Sequence, residues 1–97
     1  MKLRVARSAV ADLDEIWAYV AREQGVQAAE RLVNSLTRRF SFLAMDPGMG
    51  RNRSELRPGL RSFAAGSYRI YYRQQETGIV RVLYVRHAAR NEEKLFG

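Results

Sequence analysis

The spacing of apolar residues changes once along this chain, and that change limits what it can fold into. From about residue 8 to residue 44 apolar positions recur every three or four residues, whereas from residue 60 to residue 86 they alternate. The first spacing belongs to helices that bury one stripe and the second to strands. In the helical half, Val10, Leu13, Ile16, Trp17 and Val20 form one stripe, and Ala29, Leu32, Val33, Leu36, Phe40 and Leu43 form another. Gly25 separates them and tolerates the left-handed backbone common just past a helix end. Ser8 is placed to cap the first helix, with Asp12, Asp14 and Glu15 toward the positive end of its dipole. The second helix is predicted from about residue 26 to 44, stopped by Asp46-Pro47-Gly48. So short a gap predicts an antiparallel helical hairpin.

Around this hairpin the alternating segments predict strands. In residues 2–5, Leu3 and Val5 fall on one side and Lys2 and Arg4 on the other. Residues 47–59 hold both prolines and read as a surface loop. Strands follow over residues 60–64, 68–74 and 79–86, joined by hairpin-sized gaps at Ala65-Gly66-Ser67 and Gln75-Glu76-Thr77-Gly78. In the middle one Tyr68, Ile70 and Tyr72 share a face opposite Arg69, Tyr71 and Arg73. In the last, Val80, Val82 and Tyr84 oppose Leu83 and Val85, an apolar content on both faces that predicts a central, doubly covered strand. The expected fold class is α+β, in the order β-α-α-β-β-β, with the hairpin packed on one face of a small, mostly antiparallel, twisted sheet. The other face is expected to be rimmed by Arg61, Arg69, Arg73 and Arg86 and closed by His87 and Arg90.

At 97 residues this is the length of one small domain, and without cysteine its core must be held by packing alone. The N-terminal sequence shows no signal-like apolar run and no segment reaches membrane-helix length, which points to a cytoplasmic protein with no membrane partner. The net charge is +7 and concentrated late: residues 47–97 carry ten Lys or Arg against four Asp or Glu. Fifteen of the seventeen cations are Arg, whose fork pairs bidentately with carboxylate or phosphate. No phosphate loop, dinucleotide fingerprint or metal-ligand cluster is present, so neither cofactor nor metal is expected. Trp17 reads as a core aromatic, and Tyr68, Tyr71, Tyr72 and Tyr84 as cross-strand packing residues.

Three segments together, DLDEIWAYVA, PGLRSFAAGSYRIYYR and VLYVRHAARN, set in this element order, resemble the ParE branch of the RelE/ParE superfamily of toxins. The resemblance covers nearly the whole chain. It implies the toxin of a type II toxin-antitoxin module, inhibiting DNA gyrase and silenced in a hetero-oligomer with a ParD-like antitoxin. Such an antitoxin has a ribbon-helix-helix DNA-binding part and an acidic segment that folds on binding. The superfamily's other branch consists of ribosome-dependent messenger RNA endonucleases. Metal-free RNA cleavage needs a base for the 2′-hydroxyl, a cation at the phosphate and an acid for the leaving oxygen. Here Arg90 matches the closing arginine, but Phe96 stands where that branch has a tyrosine, and Ala64 where it has a strand cation. No catalytic residue is therefore expected, and a ribonuclease, as the alternative, would use Arg61, His87 and Arg90. His87 alone, with no carboxylate beside it in sequence, reads as a strand-end histidine. A basic nucleic-acid-binding domain is a second alternative.

Contact residues follow from both readings. Tyr19, Ser35, Arg38, Arg39 and Phe42 on the outer hairpin surface, with Arg61, Arg69 and Arg73 on the sheet, are expected to bind the antitoxin. Arg86, His87, Arg90 and Phe96 are expected to meet the target.

Overall fold

A computed structural model describes residues 2–76, 78–89 and 96. Strand β1 (Lys2–Val5) leads into helices α1 (Arg7–Gln24) and α2 (Val26–Met45), and a 3-10 turn (Pro47–Met49) precedes β2 (Arg51–Asn52), β3 (Arg61–Ala65), β4 (Tyr68–Glu76) and β5 (Ile79–His87). The strands form one mixed sheet in the order β1-β5-β4-β3-β2. All neighbours are antiparallel except β1, which pairs parallel to β5. The α+β class and the hairpin-on-sheet arrangement are as expected, with β2 added from the segment read as loop. That strand is only two residues long and carries no apolar alternation, so nothing in its sequence distinguishes it from the loop around it.

Gly25 alone joins the helices. With φ at 98°, it donates its N–H to the Ala21 carbonyl and accepts from the Ala29 N–H, ending one helix and starting the next. The hairpin buries Ala9, Leu36, Phe40, Leu43 and Ala44 against Ala65, Ile70, Tyr72, Val80, Val82 and Val85 of the sheet. Each fully buried large side chain contributes roughly 1.5–3 kcal/mol, so this single layer is the main stabilising element of so small a chain. Val10 does not join it. It stays 46% exposed at the margin of the α1 stripe, and Trp17 is only half-buried.

Ser8 does not cap α1. The cap is Ala6, which offers no side-chain acceptor, and the Ser8 hydroxyl instead donates to the Leu83 carbonyl. The physical reason lies in the sheet: β1 stops pairing at Val82, leaving the next stretch of β5 without a strand on that side. Polar side chains of α1 fill the gap. Asp12 Oδ2 accepts the Val85 N–H at 2.8 Å, just as Ser8 satisfies Leu83.

β5 also departs from simple alternation. Tyr71 pairs with Tyr84 while the next β4 residue, Tyr72, pairs with Val82, so Leu83 is an extra residue in the ladder. This β-bulge resets the faces. Val80 and Val82 face the helices before it and Val85 faces them after it, all three fully buried, whereas the expected grouping had Val85 opposite the other two. Tyr84 consequently lies on the far face, opposite Tyr71. The apolar residues on both sides of β5 thus mark a bulge, and the middle of the five-strand sheet is β4.

Candidate partner-binding surfaces

Two open apolar grooves lie on the helix side. The larger, about 830 Å3, runs between the hairpin and the end of the sheet where β3 turns into β4. Ile16, Val20, Leu32 and Leu36 from the helices and Ala65, Tyr68 and Val85 from the sheet make it apolar, while Glu15, Tyr19, Arg39 and His87 give it a polar rim. The hairpin is joined by one residue, and Gln24 and Ala28 beside that join line the groove together with the short turn at Gly66-Ser67. The groove therefore has helix walls and a sheet floor. Tyr19 stands at its edge 55% exposed. Burial raises the Tyr68 hydroxyl above its ordinary pKa, with Tyr19 nearby adding to the shift. The smaller groove, about 640 Å3, is bounded by Leu3, Val5, Val10, Leu13, Phe40 and Arg38 along the open edge of β1.

Of the residues expected to bind the antitoxin, Tyr19, Ser35 and Arg39 meet in the larger groove. Arg39 Nη1 donates to both the carbonyl and the hydroxyl of Ser35 one turn earlier, which holds the guanidinium along the groove wall. Arg38 lines the smaller groove, and Phe42 stands 53% exposed on α2, as its position off the buried stripe suggests. His87, expected to close the far face, pairs instead with Tyr68 of the helix-facing layer and lines the larger groove. Arg61 is also misplaced by the sequence reading. It pairs with Tyr72, a residue of the helix-facing layer, and its Nη1 donates to the Gly50 carbonyl at 2.8 Å. It pins the loop before β2 and does not rim the far face.

The far face is where the cations gather. Cross-strand partners point the same way, so Arg69 lies beside Arg86, Tyr71 beside Tyr84 and Arg73 beside Arg81. Phe96 packs edge-on against Tyr71 and Tyr84, with ring centroids 5.1 and 5.6 Å away, and Arg57 lies 5.1 Å over its ring. Arg86 is held between two partners: Nε donates to Asp12 Oδ2 at 3.0 Å and Cζ sits 5.0 Å from the centre of the Tyr84 ring. Buried Arg53 donates to Glu55 at 2.8 Å, which holds that carboxyl below its ordinary pKa. Ala64 pairs with Arg69 and is exposed beside it.

The alternative ribonuclease set is not gathered. Arg61 is in register with Tyr72 and His87 with Tyr68, four residues apart along β4, about 13 Å at a strand rise of ~3.3 Å. Arg90 lies outside the described residues. His87 stacks edge-on against Tyr68 with centroids 5.5 Å apart, and its Nδ1 accepts the Ala89 N–H at 3.2 Å. That nitrogen is occupied by local backbone, in keeping with a strand-end role. Among the described residues no group of three metal-ligating side chains forms, and no helix is long and apolar enough to cross a membrane.

Sequence reasoning missed Asp12, which ties α1 to Val85 and Arg86. A carboxylate on the buried stripe side of an amphipathic helix was the signal available. It also missed that Arg4 and Arg81 belong with Arg73, because that depends on which strands are neighbours.

A two-helix hairpin across one face of a mixed five-stranded sheet, with arginines spread over the other, defines a compact class of small α+β proteins. The chain belongs to the ParE toxin family: the family model described as "ParE toxin of type II toxin-antitoxin system, parDE" matches residues 3–92. Among its relatives, Toxin ParE1 of Caulobacter vibrioides is 39% identical over 88 residues, covering 90% of this chain and 92% of that protein. Toxin ParE1 of Mycobacterium tuberculosis is 36% identical over 80 residues, covering 82% of each. A solved structure from the chromosomal ParDE TA system of P. aeruginosa shares the fold, with a TM-score of 0.79 at 22% identity over 90% of this chain and 95% of that one.

Proposed function

We propose that this chain is a toxin that acts by binding, not by catalysis: it inhibits DNA gyrase and is held silent by direct contact with a cognate antitoxin. Membership of the ParE family is the observation that carries this reading. The separation of Arg61 from His87 supports it against the ribonuclease alternative, since proton transfer and phosphate stabilisation need groups within hydrogen-bond reach of one substrate. The name of the P. aeruginosa neighbour, a ParDE TA system, supports an antitoxin partner.

The larger groove is the antitoxin's place. An amphipathic segment would lay its apolar side on Ile16, Leu32 and Tyr68 and offer acids to Arg39. The excess of arginine favours an acidic partner, and charge attraction would raise the association rate at low salt. The target side is the β5 end of the sheet, with Arg86, Arg69 and Phe96 on the far face and His87 on the rim of the larger groove; Arg90, expected to join them, lies outside the described residues.

Purified gyrase tests the target. Added protein is expected to inhibit supercoiling and to raise the amount of cleaved DNA complex, and unchanged gyrase in both assays would remove gyrase from the reading. Expression is expected to arrest growth, with rescue by the adjacent antitoxin gene. Messenger cleavage in a translating extract that disappears in His87→Ala would overturn the binding mechanism.

A further inference from the structure

Three arginines from three different strands stand in one line. Arg4 of β1 is in register with Arg81 of β5, and Arg81 is in register with Arg73 of β4. Leu3 and Val5 share the helix side with Val80 and Val82, so Arg4 and Arg81 point to the far face, and Arg73 joins them there as the partner of Arg81. Adjacent strands are ~4.8 Å apart, so the row is about 10 Å long. Arg4 is exposed and the other two are half-buried. Like charges directly opposite each other destabilise a sheet. Among the described residues none of these three arginines makes a side-chain hydrogen bond or ion pair that would offset the repulsion.

We propose that the Arg4–Arg81–Arg73 row is a docking site for the phosphodiester backbone of duplex DNA. This deepens the gyrase reading and rests on it for its setting, because an inhibitor acting while gyrase holds broken DNA has a duplex within reach. Two features favour phosphate over a protein carboxylate. An extended peptide presents same-side groups only every second residue and needs apolar anchors to gain affinity, but both apolar grooves lie on the opposite, helix-facing side, and the far-face rings of Tyr71 and Tyr84 are packed against Phe96. A duplex carries one charge per ~1.7 Å of axis and needs no anchor, and arginine's fork suits its oxygens. The row is also distinct from the Arg69–Arg86 pair, where Arg86 is already engaged by Asp12.

The test uses the full chain without gyrase, so that it stands apart from the target assignment. Binding of a labelled random-sequence duplex is followed by fluorescence anisotropy across a salt series. Three phosphate contacts predict a log–log salt slope steeper than about −2.7, or about 40-fold weaker binding at 200 mM than at 50 mM salt. The triple variant Arg4→Gln/Arg73→Gln/Arg81→Gln is expected to lose roughly 0.9 of slope per substitution, while the triple Lys variant keeps the slope and Arg31→Gln on the helix side changes nothing. The Gln variant should melt no lower than the parent, since like charges have been separated; should it fail to fold, the three single Gln variants give the same slope reading. Absence of duplex binding at 50 mM salt, a slope unmoved by the Gln changes, or tighter binding of a poly-glutamate peptide or of single-stranded DNA than of duplex would each overturn the assignment. Duplex binding by the row together with inactive behaviour in the supercoiling assay would keep this site and discard gyrase.

Discussion

Tyr72 shows how one side chain can fix a loop. Its ring is fully buried in the core, while its hydroxyl donates to the Pro47 carbonyl at 2.7 Å and accepts the Gly50 N–H at 2.8 Å. Gly50 is required for that approach, because a Cβ there would lie 2.3 Å from the Tyr72 hydroxyl and 2.9 Å from the backbone oxygen of Ser62. Gly50→Ala is therefore expected to lose roughly 1–3 kcal/mol in urea unfolding, through strain and displacement of the hydroxyl. Tyr72→Phe keeps the ring but leaves a buried N–H and carbonyl unmatched, at about 1–3 kcal/mol. A Gly50→Ala protein as stable as the parent would show that the loop yields freely. The sequence announces Tyr72 as a packing residue and nothing more, since its hydroxyl's partners lie 22 and 25 positions away in a segment that reads as loop.

The elements owe their boundaries to each other. Spacing in the sequence was enough to place both helices and four of the five strands to within a residue or two, because a stripe or an alternating face is needed wherever the core lies. It could not show the Leu83 bulge, whose only local trace is apolar residues on both sides of β5. Nor could it show that Ser8 and Asp12 would serve a strand and not a helix end. These side chains act where β1 runs out and β5 would otherwise present unpaired backbone groups to a helix. Asp12→Ala removes the acceptor for both Val85 N–H and Arg86 Nε. It is expected to cost about 1–3 kcal/mol or more, and to free Arg86 on the far face. Amide exchange reads this directly: the Val85 amide should lose protection in Asp12→Ala and keep most of it in Asp12→Asn. Protection unchanged in the Ala variant would mean that another group takes up that N–H.

Across the whole molecule, the helices and the arginines divide the sheet between them. One face is spent on the single core, and the other is left to carry charge. Burial raises the pKa of Tyr72 above its ordinary 10.0, and that of Tyr68 likewise. A phenol that holds its proton more tightly when folded contributes stability that is complete below about pH 10 and is lost as pH rises beyond it. The urea midpoint should therefore fall above pH 10, and fall less steeply in Tyr72→Phe; identical slopes for the two proteins would exclude Tyr72 as a cause. The change of apolar period, the excess of arginine and the motif triplet were enough to determine the hairpin, the sheet and the family, because each is a local property of consecutive residues. Which arginines stand together was decided only by tertiary structure. Arg4, Arg73 and Arg81 lie in three separate stretches of sequence, and a parallel edge strand, a bulge and an antiparallel register bring them into one row. Arg61, grouped by sequence with Arg69, Arg73 and Arg86, is turned to the other side by its pairing with Tyr72.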